Sequence, residues 1–275
     1  MDQQPDAQLS TLEFCITDFC NLDCPLCGQG TPLHKDKRTM TVEQIEYFSG
    51  LLRDGEFQVI KISGGEPTLH KEFAWISRNL RRMFPGRHLY LATNGALATN
   101  YLADLKLYDT VDVSNYPGLN DSQYARFTAA YNDSNLLAQK KTDYADMIDV
   151  WKVPNWDKKD IYKTCSYREI KKVVQDRIYP CCVVFGQSQR QGFDPETVSV
   201  PFDANWRERL ARVDIEDRCR LCFADVPAPR VSRIVLLWRR LLLLRDRRWL
   251  EQARRRGSGR GESPKSLVSQ IAPAK

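Results

Sequence analysis

Residues 20–27 read CNLDCPLC and put Cys20, Cys24 and Cys27 on one short loop of a 275-residue chain. Just before them, Leu12 to Ile16 has the apolar character of a buried first strand. The thiols therefore follow a strand end, and outward from them the chain repeats that arrangement. Thr41 and Gln44 make a capping box that opens a helix through about Leu52. FQVIKIS (57–63) reads as a second strand with a helix at 72–83, and HLYLATNG (88–95) as a third strand ended by Gly95. TVDVSNY (110–116) is a fourth, with helix-like residues at 122–131, and DMIDVWKVP (146–154) a fifth, stopped by Pro154.

Strands alternating with helices imply a parallel sheet with helical crossovers. A doubly wound open sheet uses the same alternation. Five or six units in about 155 residues are too few for a full eight-stranded barrel. The fold class is α/β, a partial, open, parallel β/α TIM-like barrel whose strand-end loops converge on one rim. Beyond Trp156 the pattern changes. YREIKKVVQDRIYPCCVVFG (167–186) reads as a strand pair turning near Gln175 and Asp176, followed by a loop with two glycines, a short helix near 204–211, and CRLC (219–222). This small C-terminal α+β auxiliary unit has too little core to stand without a staple. The domain reading is a barrel over 1–156, a cysteine-bearing unit over 157–225, and a basic helix and tail over 226–275.

Composition is ordinary for a globular protein, 42% apolar and 28% charged. The opening MDQQPDAQLS lacks the basic-then-apolar pattern of a secretory signal, and no apolar run approaches the roughly 18–20 residues of a membrane span. A cytoplasmic location is expected, where clustered cysteines hold metal more often than they form disulfides. Residues 226–275 carry thirteen Lys or Arg against three acids, so the overall charge of +6 is a property of the tail. No nucleic-acid binding is expected of the main domain. The segment RVSRIVLLWRRLLLLRDRRWL (230–250) suits a helix with an apolar side, for packing on its own domain, for a protein contact, or for an anionic membrane surface.

Three thiolates cannot complete a tetrahedral zinc site, but they can hold three irons of a four-iron cubane and leave the fourth open. With these residues the sequence resembles the radical S-adenosylmethionine (SAM) superfamily, whose hallmark is the spacing of Cys20, Cys24 and Cys27. SGGEP (63–67) lies where that family binds the methionyl amino group of SAM. The resemblance assigns Gly64, Gly65, Glu66 and Pro67 to cofactor binding, Glu66 as acceptor from the ammonium. It adds Asn94 in TNG (93–95), Ser114 and Asn115 at the fourth strand end, and Leu26, which takes the commonly aromatic position that packs on adenine. It also implies a SAM-binding [4Fe-4S] cluster, S-adenosyl-L-methionine and a flavodoxin- or ferredoxin-type electron donor.

Cys165, Cys181, Cys219 and Cys222 form a second set, for which zinc is the plain structural reading. After a radical SAM core the set resembles the twitch/SPASM auxiliary-cluster unit, and its layout is similar to that of radical SAM dehydrogenases acting on 2-deoxy-scyllo-inosamine. That resemblance implies a second, auxiliary [4Fe-4S] cluster held by four cysteines, suited to electron transfer. The implied reaction is oxidation of an alcohol carbon in a small polar, sugar- or cyclitol-like substrate. Lys152, and after it Asp149, are the candidates beside the reacting hydroxyl. Cys182, adjacent to a ligand, either packs in the core or donates a hydrogen atom, and Cys15 carries the same ambiguity. A peptide maturase or epimerase is the alternative within the same chemistry, and a non-catalytic iron–sulfur or zinc interaction module is the alternative outside it.

Overall fold

The structure is a computed structural model and describes residues 10–24, 27–140, 161–219 and 222. Eight strands form one sheet: β1 (Thr11–Cys15), β2 (Val59–Ser63), β3 (His88–Thr93), β4 (Thr110–Asn115), β5 (Leu136–Lys140), β6 (Ile170–Val174), β7 (Arg177–Tyr179) and β8 (Val200–Pro201). Their order is β5-β4-β3-β2-β1-β6-β7-β8. The first six run parallel to their neighbours, and β7 and β8 are added antiparallel at one edge. The sheet is open, as the alternation of elements implies.

Helices α1 (Val42–Gly50), α2 (Phe73–Met83), α3 (Leu102–Leu105) and α4 (Asp121–Ala130) follow β1 to β4 in turn. The Thr41–Gln44 capping box is made in both directions, at 3.2 and 2.8 Å. In α2 the buried Phe73, Ile76, Leu80 and Met83 recur at helical spacing. They meet Leu12, Phe14, Ile60, Ile62, Leu89, Leu91, Val111 and Val113 in the main core. Those positions alternate along the strands with Glu13, Lys61, Tyr90 and Asp112, which places the latter on the opposite, inner face.

One strand was not read from the sequence, and one reading needs correction. The fifth strand is Leu136–Lys140, paired with β4 from Val111↔Leu136 to Asn115↔Lys140. Its sequence LLAQK is made of helix formers and carries no β-branched residue, so only the free edge of β4 selects the extended state. The segment DMIDVWKVP lies outside the described residues, as do Lys152, Asp149, Leu26 and residues 226–275. The expected loop with two glycines is instead helix α6 (Val184–Gln191), following α5 (Ile161–Thr164) and preceding α7 (Trp206–Leu210) and α8 (Glu216–Cys219). Gly186 breaks the helical signal, but a Cβ there would lie 2.1 Å from the carbonyl oxygen of Gly28. Close approach of α6 to the cysteine loop requires it.

The strand pair turning at Gln175 forms as expected, with Gln175 at φ +57°. It has no separate sheet: β6 pairs with β1, setting Lys172 beside Glu13. Among the described residues no helix is long and apolar enough to cross a membrane. Gly186→Ala is expected to destabilise the fold by about 1–3 kcal/mol through overpacking. Gly50→Ala, with open space around it, is expected to stabilise by up to about 1 kcal/mol through helix propensity. Urea unfolding of the two variants checks the contrast.

Candidate active site

The loop after β1 is held from both sides. Thr17 bridges to Thr39, hydroxyl to hydroxyl at 3.0 Å. On the other side the glycine turn after β2 lies against it: Gly65 N–H donates to Thr17 O at 2.7 Å and Glu66 N–H to Phe19 O at 2.8 Å. A Cβ on Gly64 would sit 2.5 Å from Thr17 O and one on Gly65 2.2 Å from Phe19 O. The two glycines thus seat the turn on the backbone that leads into Cys20.

Glu66, which the resemblance gives to the ammonium of SAM, is turned into the protein. It is fully buried, and its carboxylate accepts from Thr68 N–H (3.1 Å), Thr68 Oγ1 (2.6 Å), Thr93 Oγ1 (2.7 Å) and Asn94 N–H (2.7 Å). Burial pushes its pKa up despite those bonds. Its work is to tie the β2 end to the β3 end. Pro67 begins the short turn Pro67–Leu69 that Glu66 caps, and is buried in it.

Asn94 reaches the cysteine loop itself. Its amide donates to Asn21 Oδ1 at 2.9 Å and approaches Cys20 Sγ at 3.8 Å, while Leu22 N–H donates to the same sulfur at 3.4 Å. Burial is the main cause that pushes the Cys20 thiol up to about 12, with the Cys27 and Cys24 thiols adding to it. At the β4 end, Ser114 is half-buried, and Asn115 is buried with Oδ1 lacking a hydrogen-bond partner. The residue that shares its surroundings with all three thiols is Tyr116: burial first, then Cys27, Cys24 and Cys20, raise its phenol well above the usual value. Asn120, wholly buried, donates to Asn94 O and Ser114 O and accepts from Tyr116 N–H, so it locks the β3 and β4 ends together. Neither Tyr116 nor Asn120 was singled out from the sequence. The signal for both was position, just past a strand end.

Below this rim the inner face carries a buried ionic row. Glu13 sits between Lys172 (3.1 Å) and Lys61 (3.0 Å), and Ser63 Oγ donates to it at 2.8 Å. Glu13 and Lys172 are almost without solvent exposure, whereas a quarter of the Lys61 side chain is exposed. Burial alone would raise the Glu13 pKa, but the two lysines hold it far below the carboxylate range. The row continues as Lys61 lies over the Tyr90 ring, 5.6 Å from its centroid, and Tyr90 OH donates to Asp112 Oδ2 at 2.6 Å.

The second thiol set lies beside this row. Cys181, Cys219 and Cys222 share one hydrophobic cluster with Cys15, Tyr162, Tyr167 and Phe185, and the buried Cys165 influences the thiols of Cys181 and Cys219. Their loops are stitched by Tyr162 OH to Pro180 O (3.0 Å), Tyr162 N–H to Glu216 Oε2 (3.3 Å) and Gln187 Nε2 to Arg218 O (2.7 Å). Among the described residues no three His, Cys, Asp or Glu side chains are drawn together closely enough to hold a metal ion. Cys182 packs in the same cluster and also borders the ionic row. After burial, the strongest influences on its thiol are Glu13, Cys181, Lys61 and Lys172. Cys15 is buried in the cluster, its thiol 3.7 Å from Thr17 O.

The donor chemistry fits iron–sulfur centres: one trio of thiols short of a full set, and one quartet. Residues 14–116 match the radical SAM superfamily model. Among curated proteins, the GTP 3′,8-cyclase of Actinobacillus succinogenes is 36% identical over 86 residues, 30% of this chain and 26% of that protein. The GTP 3′,8-cyclase of Peptoclostridium acidaminophilum is 31% identical over 101 residues, 36% and 31% of the two chains. The match thus spans only about a quarter to a third of these relatives. The crystal structure of BtrN in complex with AdoMet and 2-DOIA aligns over 82% of this chain and 89% of that one, with a TM-score of 0.54 and 18% identity, a likeness of fold.

Replacing Glu13 by Gln leaves the buried Lys172 and the partly buried Lys61 against no carboxylate, and is expected to cost about 3–5 kcal/mol. The wild-type carboxyl titrates lower folded than unfolded, so its contribution is complete above about pH 4.3 and is lost as pH falls below that. Denaturant titrations from pH 7 to pH 3 should show a shallower acid loss in E13Q than in wild type.

Proposed function

From the premise that residues 14–116 are a radical SAM domain, we propose that the chain is an oxidoreductase acting on an alcohol carbon of a small, polar, hydroxylated substrate. Cys20, Cys24 and Cys27 would hold the SAM-binding [4Fe-4S] cluster, and Cys165, Cys181, Cys219 and Cys222 a second one. When bound and reduced, the first centre with SAM supplies a 5′-deoxyadenosyl radical that takes a hydrogen atom from substrate. The second can accept the electron that remains after the hydroxyl loses its proton.

The observation that carries this reading is the position of Cys181 and Cys182. The loop that brings the second thiol set opens onto the ionic row of the inner face, where Cys182 neighbours Glu13, Lys61 and Lys172. An electron acceptor there adjoins the wall against which a polar substrate would lie. Lys61 joins Lys152, which lies outside the described residues, as a candidate beside the reacting hydroxyl. It is cationic, since Glu13 outweighs the effect of burial and raises its pKa, and it is partly open on the inner face. It can hold a substrate hydroxyl by a charge-assisted hydrogen bond and stabilise negative charge as the proton leaves. Tyr90 and Asp112 extend the same polar wall. A reduced flavodoxin- or ferredoxin-type protein would supply the electron for SAM cleavage.

Similarity to GTP 3′,8-cyclases covers about a third of this chain, so it supports the radical chemistry and leaves the substrate open. A second reading has one observation in its favour. The Cys182 thiol by the inner face suits a hydrogen-atom donor, which would make the enzyme an epimerase. Anaerobic reconstitution should give about eight irons, and a Cys165→Ala, Cys181→Ala double variant about four. Incubated with SAM, reductant and a panel of polyols and aminopolyols, the protein should yield a product lighter than its substrate by two hydrogens. A product of unchanged mass that carries solvent deuterium would favour the epimerase. Lys61→Met should cut product at least about tenfold while 5′-deoxyadenosine still forms, and Lys61→Arg should restore part of it.

A further inference from the structure

Helix α6 runs from one thiol set to the other. At its start, Cys181 sulfur accepts from the N–H groups of Val183 and Val184. Along its length it lies on the downstream half of the first cysteine loop: Gly186 against Gly28 O, Gln189 against Gly30, and the Phe185 ring edge-on to His34 at 4.9 Å. At its end, Arg190 Nη2 donates to the carbonyl oxygen of Cys27 at 3.2 Å. Cys27 O also accepts from Gly30 N–H at 3.0 Å, so the guanidinium is aimed at a carbonyl already fixed in place. The electrostatic influence between Arg190 and the Cys27 sulfur is direct.

A positive charge beside a thiolate-bound cluster stabilises the reduced form, whose net charge is more negative. We propose that Arg190 is a positioning residue that raises the reduction potential of the cluster held by Cys20, Cys24 and Cys27, bringing it within reach of its electron donor. The inference rests on the reading of those three thiols as cluster ligands. It makes α6 the element that both presents Cys181 to the second centre and charges the surroundings of the first.

The test uses the full chain, reconstituted anaerobically, with the SAM-responsive signal followed by electron paramagnetic resonance during a redox titration. Arg190→Gln keeps a side-chain N–H donor at this position and removes the charge, whereas Arg190→Lys keeps the charge. The midpoint of the SAM-responsive signal should move to more negative potential in R190Q and stay near wild type in R190K. An unchanged midpoint in R190Q, with full iron loading, would overturn the proposal and leave Arg190 a packing residue. Should R190Q fail to load iron while R190K loads fully, the charge serves assembly and the proposal also falls. A wild-type protein without any SAM-responsive signal would instead bring down the reading of the three thiols on which the proposal stands.

Discussion

Two backbone hydrogen bonds, Gly65 to Thr17 and Glu66 to Phe19, fix the geometry on which the rest of the site depends. They require two peptide planes to meet where a single extra carbon would clash, and therefore require two glycines. Once the turn is seated, Glu66 is buried, and its carboxylate gathers donors from the ends of β2 and β3. Asn94 then reaches Cys20, and Asn120 adds the end of β4. The rim is one connected network in which each strand end holds the next. A cofactor bound there would meet groups already in place, the condition under which positioning is most effective.

The inner face follows a different logic. Three charges are taken out of water on adjacent strands, β6, β1 and β2, and the arrangement holds because Glu13 lies between two lysines. An apolar row would fill the space at less risk to stability. Retaining the ions leaves Lys61 charged at a partly open position beside Tyr90, which is what a wall for a polar substrate needs. The second thiol set approaches the row from the N-terminal end of β6, where Cys165 enters the strand and Cys181 leaves the antiparallel β7, whereas the first follows the C-terminal end of β1.

Much of this was legible in the chain. The first four strands, their helices and the turn at Gln175 follow from periodicity and capping chemistry, and CNLDCPLC and SGGEP follow from spacing at strand ends. What escaped depends on partners distant in sequence. LLAQK becomes a strand only because β4 offers an edge, and residues 184–191 become a helix despite Gly186 because that glycine fits against Gly28. The donors that Thr93 and Asn94 give to Glu66 come from the next strand end, which sequence reading alone does not bring beside it. Glu13 and Lys61 sit singly within apolar strands and Lys172 follows Lys171 in β6, and only the register of β6 on β1 and β1 on β2 makes them a row.

The central claim is that three thiols leave one iron of a cluster open to SAM. Mössbauer spectroscopy of protein reconstituted with iron-57 tests it most directly. Addition of SAM should change the isomer shift and quadrupole splitting of one iron in a four-iron cluster and leave its other three unchanged. Spectra that do not respond to SAM at any iron would contradict the claim.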